Sequence, residues 1–246
     1  MPSHTLYLEY LVLAATVAPA ELIRVAASFG TPGAGNRSRI FRNASAGASC
    51  AYTAVLALAL AVAVLDRFTP GYLTAWRAWR TIPLWIPAAV VIGCCAVGLE
   101  ILVGIAQQTI KQHAITQHAI TQHAITRNRT FRLAVNIGSA SLGPGYLLAI
   151  SVTATAEELL YRGLWMGTLV ERLGVSSAIA VCGAAAAYAV GHLFFGGAIV
   201  VQKAVTGIVF GILLVASGSV LVPLLAHLAQ NMTVYRIAAA GGRQAP

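Results

Sequence analysis

Long runs of apolar residues, parted only by short polar stretches, recur along the whole of this chain. A run of about 20 such residues crosses the hydrocarbon layer of a bilayer as a helix, and several here reach that length. Charged residues make up 9% of the sequence and hydrophobic ones 58%, whereas soluble domains carry about a quarter charged and about half apolar. No soluble domain fits between the runs. The expected spans are roughly Leu6–Ala27, Cys50–Phe68, Ile82–Gln107, Pro144–Val170, Ser176–Phe195, Ile199–Ser217 and Val220–Ala239. The fold class read from them is an all-α, polytopic transmembrane helix bundle of about seven spans. A short extra helix within Phe131–Leu142, ended by Gly143-Pro144-Gly145, would raise the count to eight.

The net charge of +9 does not point to nucleic acid, because the basic residues fall between apolar runs and form no basic face with interleaved aromatics. They read as positive-inside loop charges. Seven spans put eleven Lys and Arg on one side and four on the other, which places the C-terminus in the cytoplasm; an eighth helix would invert one half. Cys50, Cys94, Cys95 and Cys182 lie in apolar runs, without CxxC pairs, and are expected to be small core residues. The N-terminus has no basic n-region and no small-residue cleavage site before Leu6–Ala20, so it resembles a first span more than a removable signal. The expected location is therefore an integral, multi-pass position in a membrane, and the Ala-, Arg- and Gly-rich composition suits a bacterial one.

Residues 112–126 repeat QHAIT three times and space His113, His118 and His123 by five. That period turns each histidine about 140° around a helix and builds no common face. The repeat reads as an insertion tolerated in a polar loop over about 107–132, in preference to a histidine metal site.

Chemistry concentrates further on. Glu157, Glu158 and Arg162 lie in an otherwise apolar run, and each would cost about 2.5–3.5 kcal/mol at the bilayer centre. Glu158 and Arg162, at i and i+4 with the acid first, can neutralise each other. Glu157 is rotated about 100° away with no cation at i+3 or i+4, which leaves one carboxylate free to take a proton from water. The plain alternative is a helix end in the interface, satisfied by water and headgroups. Tyr188 and His192 form a second i,i+4 pair, a turn beyond Ala184 and Ala185, and His227 with Asn231 forms a third. Alone, each reads as readily as interhelical hydrogen bonding. Together, three polar pairs on three apolar helices can converge on one buried cavity.

The ordered set EExxxR (Glu157, Glu158, Arg162), (F/Y)xxxH (Tyr188, His192) and HxxxN (His227, Asn231) resembles the CPBP family of CAAX-processing and bacteriocin-processing proteases, also called Abi. The resemblance covers about 144–239 as a catalytic core, with 1–143 an N-terminal transmembrane region and 240–246 a tail. It implies an intramembrane glutamic endopeptidase. Glu157 and His192 would activate a water, His227 and Asn231 would stabilise the oxyanion, and Glu158, Arg162 and Tyr188 would support them. Amide hydrolysis needs such a water and such donors. No cofactor is expected. The partners implied are the lipid bilayer and a membrane-associated peptide or protein substrate, CAAX-like, lipidated or a precursor peptide.

Two alternatives stay open. Glu157, His192 and His227 could ligate zinc from three helices, although no HExxH is present. The same fold could also serve bacteriocin self-immunity or membrane scaffolding without catalysis. A transporter would show internal repeat symmetry and paired broken helices, and neither is found. The chain departs from the commonest family pattern in having Tyr188 where Phe is more usual and in the QHAIT insert. Gly207 and Gly211 read as a close-packing pair, and Glu100 is an intramembrane acid without an assigned partner.

Overall fold

Helix forms wherever an apolar run is free of interior glycine-proline breaks, and the computed structural model follows that rule over the residues it describes: 16–17, 44–65, 71–73, 80–119, 143–193 and 197–241. These residues form helices and turns and no strand. The helices are α1 (Ala44–Leu65), α2 (Ile82–Ala119), α3 (Pro144–Glu157), α4 (Ser177–Val190), α5 (Gly197–Ser217) and α6 (Leu221–Gly241), with a 3-10 turn at Gly71–Leu73. Of the expected first span only Thr16 and Val17 are described, and the short helix expected in Phe131–Leu142 lies outside the described residues.

Three boundaries differ from the sequence reading. Helix α2 does not stop at Gln107 but runs on through Ala119, so the QHAIT stretch is helical at its start where a loop was expected. Ala, Ile, Gln and His carry no helix-breaking signal, and neither glycine nor proline intervenes. Beyond Glu157, α3 continues as π-helix over Glu158–Trp165 and again over Thr168–Arg172. Helix α4 ends at Val190, so His192 sits in the turn just past the helix and not within a span. Left-handed backbone at Gly174 and Gly218 (φ 64° and 70°) makes the turns into α4 and α6.

Pairwise contacts fix the directions. Ser49 bonds Ala149 and Thr153 while Leu56 packs with Leu160, so α1 and α3 are parallel. Asn231 bonds Ile150 and His227 bonds Glu158, so α3 and α6 are antiparallel. Gly207 faces Ala185 and Gly211 faces Val181, which makes α4 and α5 antiparallel and realises the small-residue packing. Glu100 meets Lys203 and Thr206 while Ala96 packs with Phe210, which makes α2 and α5 antiparallel. Gly93 faces Ala226 and Ala229 while Cys94 meets Thr233, so α2 and α6 are parallel. Successive helices α1 to α6 therefore alternate in direction.

The distribution of polarity is inverted relative to a soluble bundle. Glu157, Glu158, Arg162, Thr206, His227 and Gln230 are buried, while Leu84, Leu102, Leu148, Ile179 and Ile212 are exposed. Such a surface suits lipid, which is as apolar as any core. The segments Ile82–Gln107 and Gly197–Ser217 are long and apolar enough to cross a membrane, and Ser49–Ala61 and Ser177–Val190 are shorter apolar helices. The four cysteines correct the sequence reading: all are free thiols on the exposed face, not core residues. In a lipid-facing position a thiol is as well accommodated as in a core, so hydropathy alone does not separate the two.

The α2–α6 seam is the tightest. A side chain's first carbon at Gly93 would fall inside the shell of the Ala226 carbonyl oxygen and 2.9 Å from the Ala229 Cβ. Gly93→Ala must separate the helices, and the overpacking is expected to cost about 1–3 kcal/mol. Thermal unfolding in detergent checks this; an unchanged midpoint would refute the close seam.

Candidate active site

The polar groups converge where π-helix follows α3. A π-helix takes one more residue per turn than an α-helix, and such stretches are frequent at functional sites. Glu158 opens the stretch and Arg162 follows one turn on. Both are buried, and Arg162 Nη1 donates to Glu158 Oε1 at 3.1 Å. Arg162 Nη2 donates to the Gly207 carbonyl at 3.3 Å, and the guanidinium lies 4.7 Å from the Tyr188 ring centroid and 5.7 Å from that of Phe210. Its charge is thus met by a carboxylate, a carbonyl and two aromatic rings.

Glu158 does more than the spacing predicts. Its Oε1 also accepts from His227 Nδ1 at 2.8 Å. An ionised carboxylate only accepts, so Nδ1 carries a proton and the Nε2 atom is the one turned to Glu157. His227 Nε2 is 3.7 Å from Glu157 Oε2. On the other side, His192 Nε2 is 3.8 Å from Glu157 Oε1, while its Nδ1 donates to the Tyr188 carbonyl at 2.9 Å. The His192 ring meets the Tyr188 ring edge-on at 4.8 Å. Both gaps are too long for direct hydrogen bonds, and a water beside either line reaches both groups. His192 therefore offers a lone pair, and Glu157 offers another.

The structure brings Glu157, Glu158, Arg162, Tyr188, His192 and His227 into this one cluster. Asn231 makes its contact one step further along the same helix pair. Its Nδ2 donates to the Ile150 carbonyl at 3.3 Å, two turns before Glu157 on α3, which engages one of its two amide hydrogens. The side chains of His113 and His118, and all of His123, lie outside the described residues.

Glu100 acquires a partner that sequence spacing does not reveal. Its Oε1 accepts from Lys203 Nζ at 2.9 Å and from Thr206 Oγ1 at 3.2 Å, which ties α2 to α5. An acid and a base alone on separate apolar runs are the signal that could have paired them. Buried atoms without a hydrogen-bond partner among the described residues include Glu158 Oε2, the Tyr188 hydroxyl and both amide atoms of Gln230.

A bundle that buries two carboxylates, an arginine and a histidine, with a second, partly exposed histidine beside them, belongs with membrane enzymes more readily than with structural helices, since each group is costly to bury. Residues 140–233 match the family model described as type II CAAX prenyl endopeptidase Rce1-like, and this segment carries every site residue above except Glu100. No curated protein and no solved structure matches the chain. The Rce1-like domain bears out the family resemblance of the three motifs and points to a membrane protein of the CAAX-protease type, with a membrane-associated peptide or protein as substrate.

Proposed function

We propose that this protein is an intramembrane endopeptidase that hydrolyses a peptide bond near the C-terminus of a CAAX-like substrate, using a water activated by Glu157 and His192. The observation that carries this reading is the placement of Glu157, with one oxygen facing the Nε2 of each histidine at 3.8 and 3.7 Å. A water between Glu157 Oε1 and His192 Nε2 gives its two hydrogens to two acceptors. As its oxygen bonds the scissile carbonyl carbon, one proton passes to Glu157, which can then return it to the leaving amine. The negative charge moves to the carbonyl oxygen. His227, held on Glu158 through Nδ1, keeps its Nε2 turned to the same side of the site as Glu157, where the oxyanion would form. Asn231 adds its second amide hydrogen.

The polar outer contacts of both histidines are also of the kind metal-bound imidazoles make, which keeps zinc ligation by Glu157, His192 and His227 as the rival reading, although among the described residues no three such groups stand close enough to hold a metal ion. One experiment decides among these readings. Purified protein in lipid nanodiscs is given a fluorogenic peptide ending in a prenylated Cys-a-a-X sequence, with and without exhaustive chelation. The glutamate reading expects cleavage that survives chelation, with no stoichiometric zinc in the active protein. Activity lost on chelation and restored by zinc would transfer the three residues to a metal site. No cleavage of any peptide by folded protein would favour the self-immunity or scaffolding reading.

A further inference from the structure

Two acid–base pairs lie inside this bundle, and they differ in how far they are closed. Arg162 and Glu158 are fully buried, with the guanidinium shared among a carboxylate, the Gly207 carbonyl and two rings. The side chains of Lys203 and Glu100 keep 19% and 17% of their surface exposed, so this second pair has an open side. Lys203 Nζ carries three hydrogens, and Glu100 Oε1 takes one of them at 2.9 Å. The acid itself is fixed by three residues of α5. Besides Lys203, Thr206 Oγ1 donates to its Oε1 at 3.2 Å, and Gln202 Nε2 donates to its carbonyl at 3.0 Å. Glu100 therefore orients the ammonium without exhausting its donors.

The register of the helices puts this open side at the candidate active site. Gly207 of α5 faces Ala185 and Tyr188 of α4, and Gly211 faces Val181. The two helices are antiparallel, so Lys203, one turn before Gly207, stands level with His192, one turn after Tyr188. Among charged side chains, Lys203 acts most strongly on His192, and on Glu157 only His227 acts more strongly. Arg162 ranks below Lys203 at both, although it shares a helix with Glu157. An oriented ammonium thus stands beside the water-activating pair, on the side where α2 meets α5.

We propose that Lys203, oriented by Glu100, receives the free C-terminal carboxylate of the peptide that is cut. The inference rests on the endopeptidase reading and adds to it what selects the bond. A carboxylate on an ammonium makes a charge-assisted hydrogen bond, stronger than a neutral one and stronger still where water is scarce. An extended chain advances about 3.3–3.6 Å per residue, so a C-terminus fixed at Lys203 determines which of the last few peptide bonds reaches Glu157. A compact ammonium with three donors can keep Glu100 and take a second carboxylate as well. The Arg162 pair, closed on all sides, leaves no room for a ligand.

The test compares two prenylated peptides that differ only at the C-terminus, one a free carboxylate and the other a carboxamide, each given to wild type, Lys203→Gln and Glu157→Gln in nanodiscs. Wild type is expected to favour the acid by about 10–100-fold in kcat/KM, as one charge-assisted hydrogen bond predicts, and Lys203→Gln to bring that ratio to within about threefold of one. Equal cutting of both peptides by wild type would overturn the proposal, as would a Lys203→Gln that keeps the full preference. The double variant Glu100→Gln with Lys203→Gln removes the pair without leaving a charge unmatched, and it is read in the same way where the single variant does not fold. Failure of both variants to fold would overturn the proposal in favour of a purely structural tie. A wild type that cuts neither peptide, or a Glu157→Gln that cuts as fast as wild type, would instead locate the failure in the endopeptidase reading, and the role of Lys203 would fall with it.

Discussion

Replacing Glu157 by glutamine is expected to lower the rate of peptide hydrolysis by about 10²–10⁴ or more while the protein stays inserted and folded. The substitution keeps the size and shape of a buried side chain whose oxygens face two histidines across gaps of 3.8 and 3.7 Å. No direct hydrogen bond to either ring is lost. What disappears is the capacity to accept a proton, because an amide oxygen is far less basic than a carboxylate and the amide nitrogen only donates. Single-turnover cleavage of the prenylated peptide, read with the thermal midpoint in the same detergent, measures both halves of this expectation. Cleavage at the wild-type rate would remove Glu157 from the mechanism.

Glu158→Gln should have the opposite profile, with a large loss of stability accompanying the loss of activity. Glu158 Oε1 serves Arg162 at 3.1 Å and His227 at 2.8 Å, and all three residues are buried. Neutralising it leaves the guanidinium with only the Gly207 carbonyl and two rings, and removing one partner of a buried pair typically costs about 3–5 kcal/mol. His227 loses the acceptor that fixes which of its nitrogens faces Glu157. Yield of folded protein and midpoint in a denaturation series should both fall. The double variant Glu158→Leu with Arg162→Met, which removes the ion pair entirely, should recover part of the yield and none of the activity. A single variant as stable as wild type would show that the pair carries no structural load.

The contrast between these two neighbours separates what the sequence discloses from what it withholds. Apolar runs disclose helices because burying twenty residues in lipid admits little else, and polar pairs at i,i+4 disclose which side chains share a face. Glu158 with Arg162 was legible for that reason. The bond from His227 to Glu158 was not, since it joins residues 69 apart and depends on how α6 crosses α3. The π-helix after Glu157 was also hidden, as no residue type marks an extra residue in a turn. The sequence places His192 on a helix through its spacing from Tyr188. The ring keeps contact with that turn, but α4 has already ended at Val190. Asn231 shares a face with His227 and both meet the same helix, but that Asn231 bonds Ile150, two turns before Glu157, is not something spacing within α6 names. The Glu100–Lys203 pair depends on a contact between helices far apart in the chain, which periodicity within one helix does not register.

The bond between Arg162 and Glu158 lies within one helix, and this bears on how the chain enters the bilayer during synthesis. Chains emerge N-terminus first, so the helix carrying Glu157, Glu158 and Arg162 is made before Tyr188, Gly207, Phe210 and His227 exist to receive it. An arginine waiting for partners on later helices would enter lipid as a bare charge. Because its first partner is one turn away on the same helix, the two travel as a single dipole, and one unpaired acid remains to be sheltered until α4 and α6 arrive. Protonated, that acid is neutral too. The helix can thus be delivered by the insertion machinery with no net charge before the rest of the bundle closes around it.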